Sequence, residues 1–221
     1  MANGPADGGR WIEVSPERLE GWLASFAERH GELATEPGPA VFTFRAADGA
    51  AAECHVPFPP LALADGAAAA ERIREHALAD RTVGVFLVRL GGYAAGVFTG
   101  PAAQLAASKV GSRLVHGRSA AGGQSQQRFA RRREKQSSEA LGAAADTAAA
   151  VFAPFAERLD AVVLGGDRRT IAGLRDDPRL RPYFKLAVER FLTVPDPRLA
   201  VLRTTPRLFR AIRIRLTEPS A

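Results

Sequence analysis

Thr82-Val83-Gly84-Val85-Phe86-Leu87-Val88-Arg89-Leu90 is the stretch on which the fold turns. It is apolar on both faces of an extended chain, so it reads as a central strand of a sheet covered on both sides. Gly91-Gly92 then turns the chain into a second strand over residues 93–99. Residues 104–109 and 112–117 read as two further strands joined at Val110-Gly111, which makes this part of the sheet an antiparallel meander. A long helical run follows from Gln126 to about Leu159, with an alanine-rich middle that favours helix. Residues 160–164 form a short buried strand, and Gly165-Gly166 leads into a helix near residues 168–175. The expected class is α/β (α+β): a mixed, partly antiparallel sheet with flanking helices.

Working outward, residues 1–10 are glycine-rich and polar and read as a flexible tail, leaving residues 11–221 as a single domain with an N-terminal helix. Ser15-Pro16-Glu17 is a helix start, with Ser15 as cap, proline at the first position and an acid at the positive end. Leu19, Trp22, Leu23 and Phe26 recur at helical spacing, and Gly31 is a plausible stop. Residues 41–45 and 52–56 flank Asp48-Gly49 as a hairpin that Pro57-Phe58-Pro59-Pro60 ends. A helix is expected over residues 67–78. Past Asp177-Pro178, residues 184–194 mix helix and strand signals, and Pro195-Asp196-Pro197 is a turn. Residues 198–203 suit a helical turn, and residues 210–216 alternate, with Ile212, Ile214 and Leu216 opposite Arg213 and Arg215.

At 221 residues, 46% hydrophobic, the chain can bury a core without staples, although much of that fraction is alanine. Lys+Arg 30 against Asp+Glu 24 gives a net charge of +6, dominated by arginine, which favours polyanionic partners. A high-GC genome, which favours Ala, Gly, Arg and Pro codons, would scatter arginines too, but would not cluster them beside a glycine loop. Cys54 is the only cysteine, which excludes an internal disulfide and a cysteine-based zinc site. His30, His55, His76 and His116 show no ligand-pair spacing, so neither a metal nor a cofactor is expected. No signal peptide and no membrane-length apolar run is visible, so a cytoplasmic, membrane-free protein, a monomer, is expected. Cys54-His55 would send its side chains to opposite faces of a strand, against a catalytic pair.

Between the meander and the long helix lies His116-Gly117-Arg118-Ser119-Ala120-Ala121-Gly122-Gly123-Gln124-Ser125-Gln126-Gln127-Arg128-Phe129-Ala130-Arg131-Arg132-Arg133-Glu134-Lys135. A glycine pair lets backbone amides approach a ligand closely. Gln124 adds an uncharged donor and acceptor. The arginines that follow can hold phosphates. Helical spacing puts Arg128, Arg131, Arg132 and Lys135 on one face and Arg133 to the side. By themselves these residues equally suit a glycine turn leading into a solvated basic helix. Phe129 suits packing of that helix, and His116 suits either RNA contact or a strand end.

The stretch resembles the catalytic loop of eukaryotic and archaeal class-1 peptide-chain release factors. These carry His-Gly-Arg, then Gly-Gly-Gln-Ser, then Arg-Phe-Ala-Arg in the same order. Ser119, Ala120 and Ala121 are an insertion relative to that family. The resemblance implies the topology of their ribonuclease-H-like catalytic domain. It makes Gly122, Gly123 and Gln124 catalytic, with Arg118, Ser125, Arg128, Arg131, Arg132, Arg133 and Lys135 binding RNA. It also implies the large ribosomal subunit, ribosomal RNA and peptidyl-tRNA as partners. The family's codon-reading and GTPase-docking domains have no counterpart expected in this length. The chain therefore more closely resembles stand-alone, release-factor-like peptidyl-tRNA hydrolases of an actinobacterial type, related to the eukaryotic quality-control enzyme that clears stalled large subunits. The implied activity is codon-independent hydrolysis of the peptidyl-tRNA ester. A non-catalytic module docking in the peptidyl-transferase centre is the alternative. A nuclease would need a carboxylate cluster for metals, and Glu53 and Asp160 are scattered.

Overall fold

The computed structural model describes residues 9–61, 68–89, 92–112 and 125–219, with the backbone alone for 125–135 and 137. Of the tail expected over residues 1–10, residues 1–8 lie outside them, while Arg10 already belongs to a strand. The chain divides into two compact units, Met1–Ala79 with Arg207–Ala221, and Asp80–Pro206.

The first unit opens with a strand that its five residues barely announce, β1 (Arg10–Val14). Ser15 is extended and makes no side-chain cap bond. Pro16 starts a 3-10 turn, Pro16–Arg18, before α1 (Leu19–His30) begins, so the expected Ser15 cap is not made. The helix itself is as its spacing predicts: Leu19, Leu23 and Phe26 are buried, and the half-buried Trp22 stacks on Phe26 with ring centroids 5.4 Å apart. Gly31, at φ 92°, ends it in the left-handed region that favours glycine. After the exposed β2 (Leu33–Glu36) come β3 (Val41–Ala46) and β4 (Ala51–His55), the expected hairpin. Asp48 fixes its turn, one carboxylate oxygen accepting from the Ala50 N–H at 2.9 Å and the other facing His30 Nδ1 at 2.9 Å. α2 (Ala69–Leu78) presents Ile73 and Ala77 to the same core.

The second unit is built on β5 (Val83–Arg89), buried at every position except Arg89. It pairs antiparallel with β6 (Gly92–Thr99), which pairs antiparallel with β7 (Gln104–Ser112). α3 (Ser125–Phe152) follows, continued by a 3-10 segment, Ala153–Arg158, where Pro154 ends the regular helix short of Leu159. Then come β8 (Ala161–Gly166), α4 (Arg168–Ala172), α5 (Arg181–Phe184) and β9 (Ala187–Leu192). β8 lies parallel to β5, and β9 parallel to β8. The sheet order is β7-β6-β5-β8-β9, mixed, with the doubly apolar strand at its centre.

One expectation fails in this unit. Val110-Gly111 is no turn: both residues continue β7, opposite Ala94 and Tyr93. The glycine is there for a different reason. A Cβ on Gly111 would sit 2.5 Å from the Tyr93 ring, so its absence makes room for that ring across the strand pair. Ser112 closes β7, and residues 113–117 of the second expected strand lie outside the described residues.

α6 (Leu199–Arg210) runs well past the expected turn at 198–203, through Pro206. β10 (Ile212–Thr217) then inserts between β1 and β4 in the first sheet, which is antiparallel throughout in the order β1-β10-β4-β3-β2. Ile212, Ile214 and Leu216 face its core, as the alternation predicts. The class is α/β, with one antiparallel and one mixed sheet and flanking helices. Among the described residues no helix is long and apolar enough to cross a membrane.

Candidate functional site

Gly122, Gly123 and Gln124, together with Arg118 and His116, lie outside the described residues. Their two anchors are described. On one side, β7 is the edge strand of its sheet, paired with β6 from Gln104↔Thr99 to Ser112↔Gly92. Tyr93 packs over Gly111 near the end of this ladder, whose last paired residue is Ser112.

On the other side, α3 starts at Ser125. Arg128, Arg131, Arg132, Arg133 and Lys135 fall on its first three turns, and a 3.6-residue period sets the first, second, third and last of these on one face. The first turn of the helix carries no acidic residue to offset the positive end of its dipole. Among the described side chains of α3, the buried ones all lie at its far end: Ala144, Ala145, Thr147, Ala148, Val151 and Phe152. These alanines let the helix approach Phe86, Val88, Ala95 and Val97 of the sheet closely. Phe152 meets the Tyr183 ring edge-on at 5.1 Å.

A charged clasp adds to this grip, and short-range sequence reading gives no sign of it. Arg179 reaches Asp146 on α3 with Nη1 and Asp177 with its remaining nitrogens, Nε donating to Asp177 Oδ1 at 2.9 Å. The guanidinium holds the Asp177 carboxyl below its usual range, and Asp177, with Asp146, raises the arginine in turn. The clasp ties α3 to the α4–α5 segment, so the helix that starts at the glycine-glutamine loop is fixed at its other end.

Cys54 is fully buried on β4, and burial pushes its thiol up to about 12, far from the thiolate a nucleophile needs. Adjacent His55 lies on the opposite face of the strand, its ring 4.9 Å from Trp11. Asp160 Oδ2 accepts from the Thr82 N–H at 2.7 Å, joining the starts of β8 and β5. Glu53 lies 3.6 Å from Arg215. No three His, Cys, Asp or Glu side chains gather as metal ligands among the described residues.

The profile of a protein family described as "acVLRF1: Actinobacteria/chloroflexi VLRF1 release factor" matches residues 81–215. Among solved structures, an archaeal translation termination factor, aRF1, is similar at 13% identity with a TM-score of 0.42, over 87% of this chain and 61% of its own. A second, titled "Archaeal protein", is similar at 14% identity with a TM-score of 0.41, over 76% of this chain and 51% of its own. The chain thus spans about three-fifths and about half of the lengths of these two proteins. No curated protein matches its sequence. The family match runs from the start of the central strand β5 almost to the end of β10, takes in the glycine-glutamine loop and covers more than half of the sequence: the chain belongs to the Actinobacteria/chloroflexi VLRF1 release factor family.

Proposed function

We propose that the protein is a peptidyl-tRNA hydrolase that frees nascent peptides from stalled ribosomes or large subunits, without reading a codon. The observation that carries this reading is Gly122-Gly123-Gln124, with its His-Gly-Arg and basic flanks, inside the segment that matches a release factor family. The peptidyl-tRNA bond is an activated ester normally shielded from water. Its cleavage needs a water placed beside the carbonyl and stabilisation of the developing oxyanion or leaving group. Neither task needs a strong base on the protein. A backbone amide at Gln124, bared by the two glycines, can donate to the reacting centre, while the glutamine side chain orders the attacking water. Arg118, Ser125, Arg128, Arg131, Arg132, Arg133 and Lys135 would hold the phosphates of tRNA or ribosomal RNA. A strand paired up to Ser112 and a helix that starts at Ser125 flank the motif in the chain, which supports this reading.

The test is hydrolysis of peptidyl-tRNA on large subunits and on whole ribosomes, with and without a stop codon. Gln124→Ala is expected to slow release on the order of tenfold to a hundredfold. Gly122→Ala and Gly123→Ala are expected to do the same by displacing the backbone amide. Undiminished release by all three variants would overturn the mechanism. Binding without any hydrolysis by the wild type would leave a docking module in place of an enzyme.

A further inference from the structure

A second basic surface lies apart in sequence from the loop. Residues 198–217 contain Arg198, Arg203, Arg207, Arg210, Arg213 and Arg215, and no aspartate or glutamate. Helix α6 orders the middle of this run. Its buried side chains Leu202, Thr205 and Phe209 fix the rotation of the helix, leaving Arg203 and Arg207 exposed one turn apart on a single row. The row lies on one helix, so its spacing, about 6 Å along the axis, is set by the helix itself. Among the described residues neither arginine has an acidic side chain within ion-pair distance. Like charges four residues apart on a helix repel in the free protein. A bound polyanion would offset that repulsion by attracting both guanidiniums.

We propose that the Arg203–Arg207 row of α6 is a phosphate-binding surface for structured RNA, on a different helix from the basic run of α3. This inference rests on the reading that the protein's partner is RNA. Charge complementarity favours RNA over protein: the exposed face carries guanidiniums suited to phosphate oxygens and no aromatic anchor of the kind a protein interface buries. Leu199 and Thr204 complete the face, and the Thr204 hydroxyl donates to the Val201 carbonyl at 2.8 Å.

Equilibrium binding of the full chain to purified large ribosomal subunits over a salt series tests the proposal. The double variant Arg203→Gln/Arg207→Gln is expected to bind at least tenfold more weakly and to lower the slope of log K against log salt by about 1.5, two phosphate contacts' worth. A charge-matched control, Arg169→Gln/Arg181→Gln, removes two exposed arginines elsewhere and should leave the slope within about half a unit of wild type. Unchanged melting of both variants shows that the fold is kept, and glutamine suits a helix surface. The proposal is overturned if the α6 variant binds like wild type, or if the control weakens binding equally. It is also overturned if poly-glutamate, but not ribosomal RNA, competes for the row. Wild-type protein that fails to bind subunits at all would overturn the RNA-partner reading too, whereas loss of hydrolysis in Gln124→Ala with binding intact bears only on the loop.

Discussion

Pro206 would be expected to stop α6, because a proline inside a helix removes the N–H that bonds to the carbonyl four residues back. Here that carbonyl belongs to Leu202, and the Thr205 hydroxyl donates to it at 2.7 Å. Thr205 is fully buried, so its side chain satisfies inside the core what the proline leaves unsatisfied. Thr205→Val keeps the shape and deletes the bond, leaving a buried carbonyl unpaired. It is expected to destabilise the protein by about 1–3 kcal/mol, whereas Thr205→Ser should cost clearly less. Denaturant unfolding of the two variants measures the difference, and equal stability of Val and Ser would refute this role. The pairing also explains why the sequence suggested only a turn over residues 198–203: propensity registers the proline, while the compensating bond depends on a burial that propensity does not contain.

At the scale of elements, local patterns were readable and distant pairings were not. The doubly apolar β5, the Asp48-Gly49 hairpin and the stripe of α1 each carry their signal within a dozen residues. β1 has only five residues, and the strand that pairs with it, β10, lies some two hundred positions along the chain. β2 is short, mostly exposed and at an edge, which leaves almost no periodicity to read. In β7 the misreading was of a glycine: Gly111 suggested a turn but serves to accommodate Tyr93. Gly111→Ala would push a methyl group into that ring, at an expected cost of about 1–3 kcal/mol. Because the clash is at the end of an edge strand, the loss should be local. Hydrogen exchange should quicken in the amides that pair residues 109–112 with β6 more than in β5. Uniform acceleration across the sheet, or none, would contradict this assignment. For the candidate site, the motif was legible because its chemistry is contiguous in sequence. The clasp of Arg179 on Asp146 was not, because it joins positions 33 residues apart.

For the molecule as a whole, stability should respond to acid in two steps of the same sign. The first belongs to His55, whose ring loses water against Trp11 and whose buried Nε2 finds no hydrogen-bond partner among the described residues. Burial is the main force lowering its pKa below the usual 6.5, Arg213 and Arg215 push the same way, and Glu53 opposes them. Below 6.5 the unfolded chain therefore takes up the proton before the folded one, and stability falls as pH drops toward the folded value. The second step belongs to Asp48, Asp167 and Asp177, which lie below their usual 3.8. Asp48 accepts from the Ala50 amide and meets His30, Asp167 accepts from Thr170 where it caps α4, and Asp177 is held by Arg179. Their contribution is present above 3.8 and is lost as pH falls through the folded values. The melting temperature should thus begin to fall once pH drops below 6.5 and fall again below 3.8. His55→Phe keeps an aromatic ring against Trp11 but cannot titrate, so it should flatten the first decline and leave the second. A variant profile parallel to wild type through both windows would show that His55 is not the group responsible.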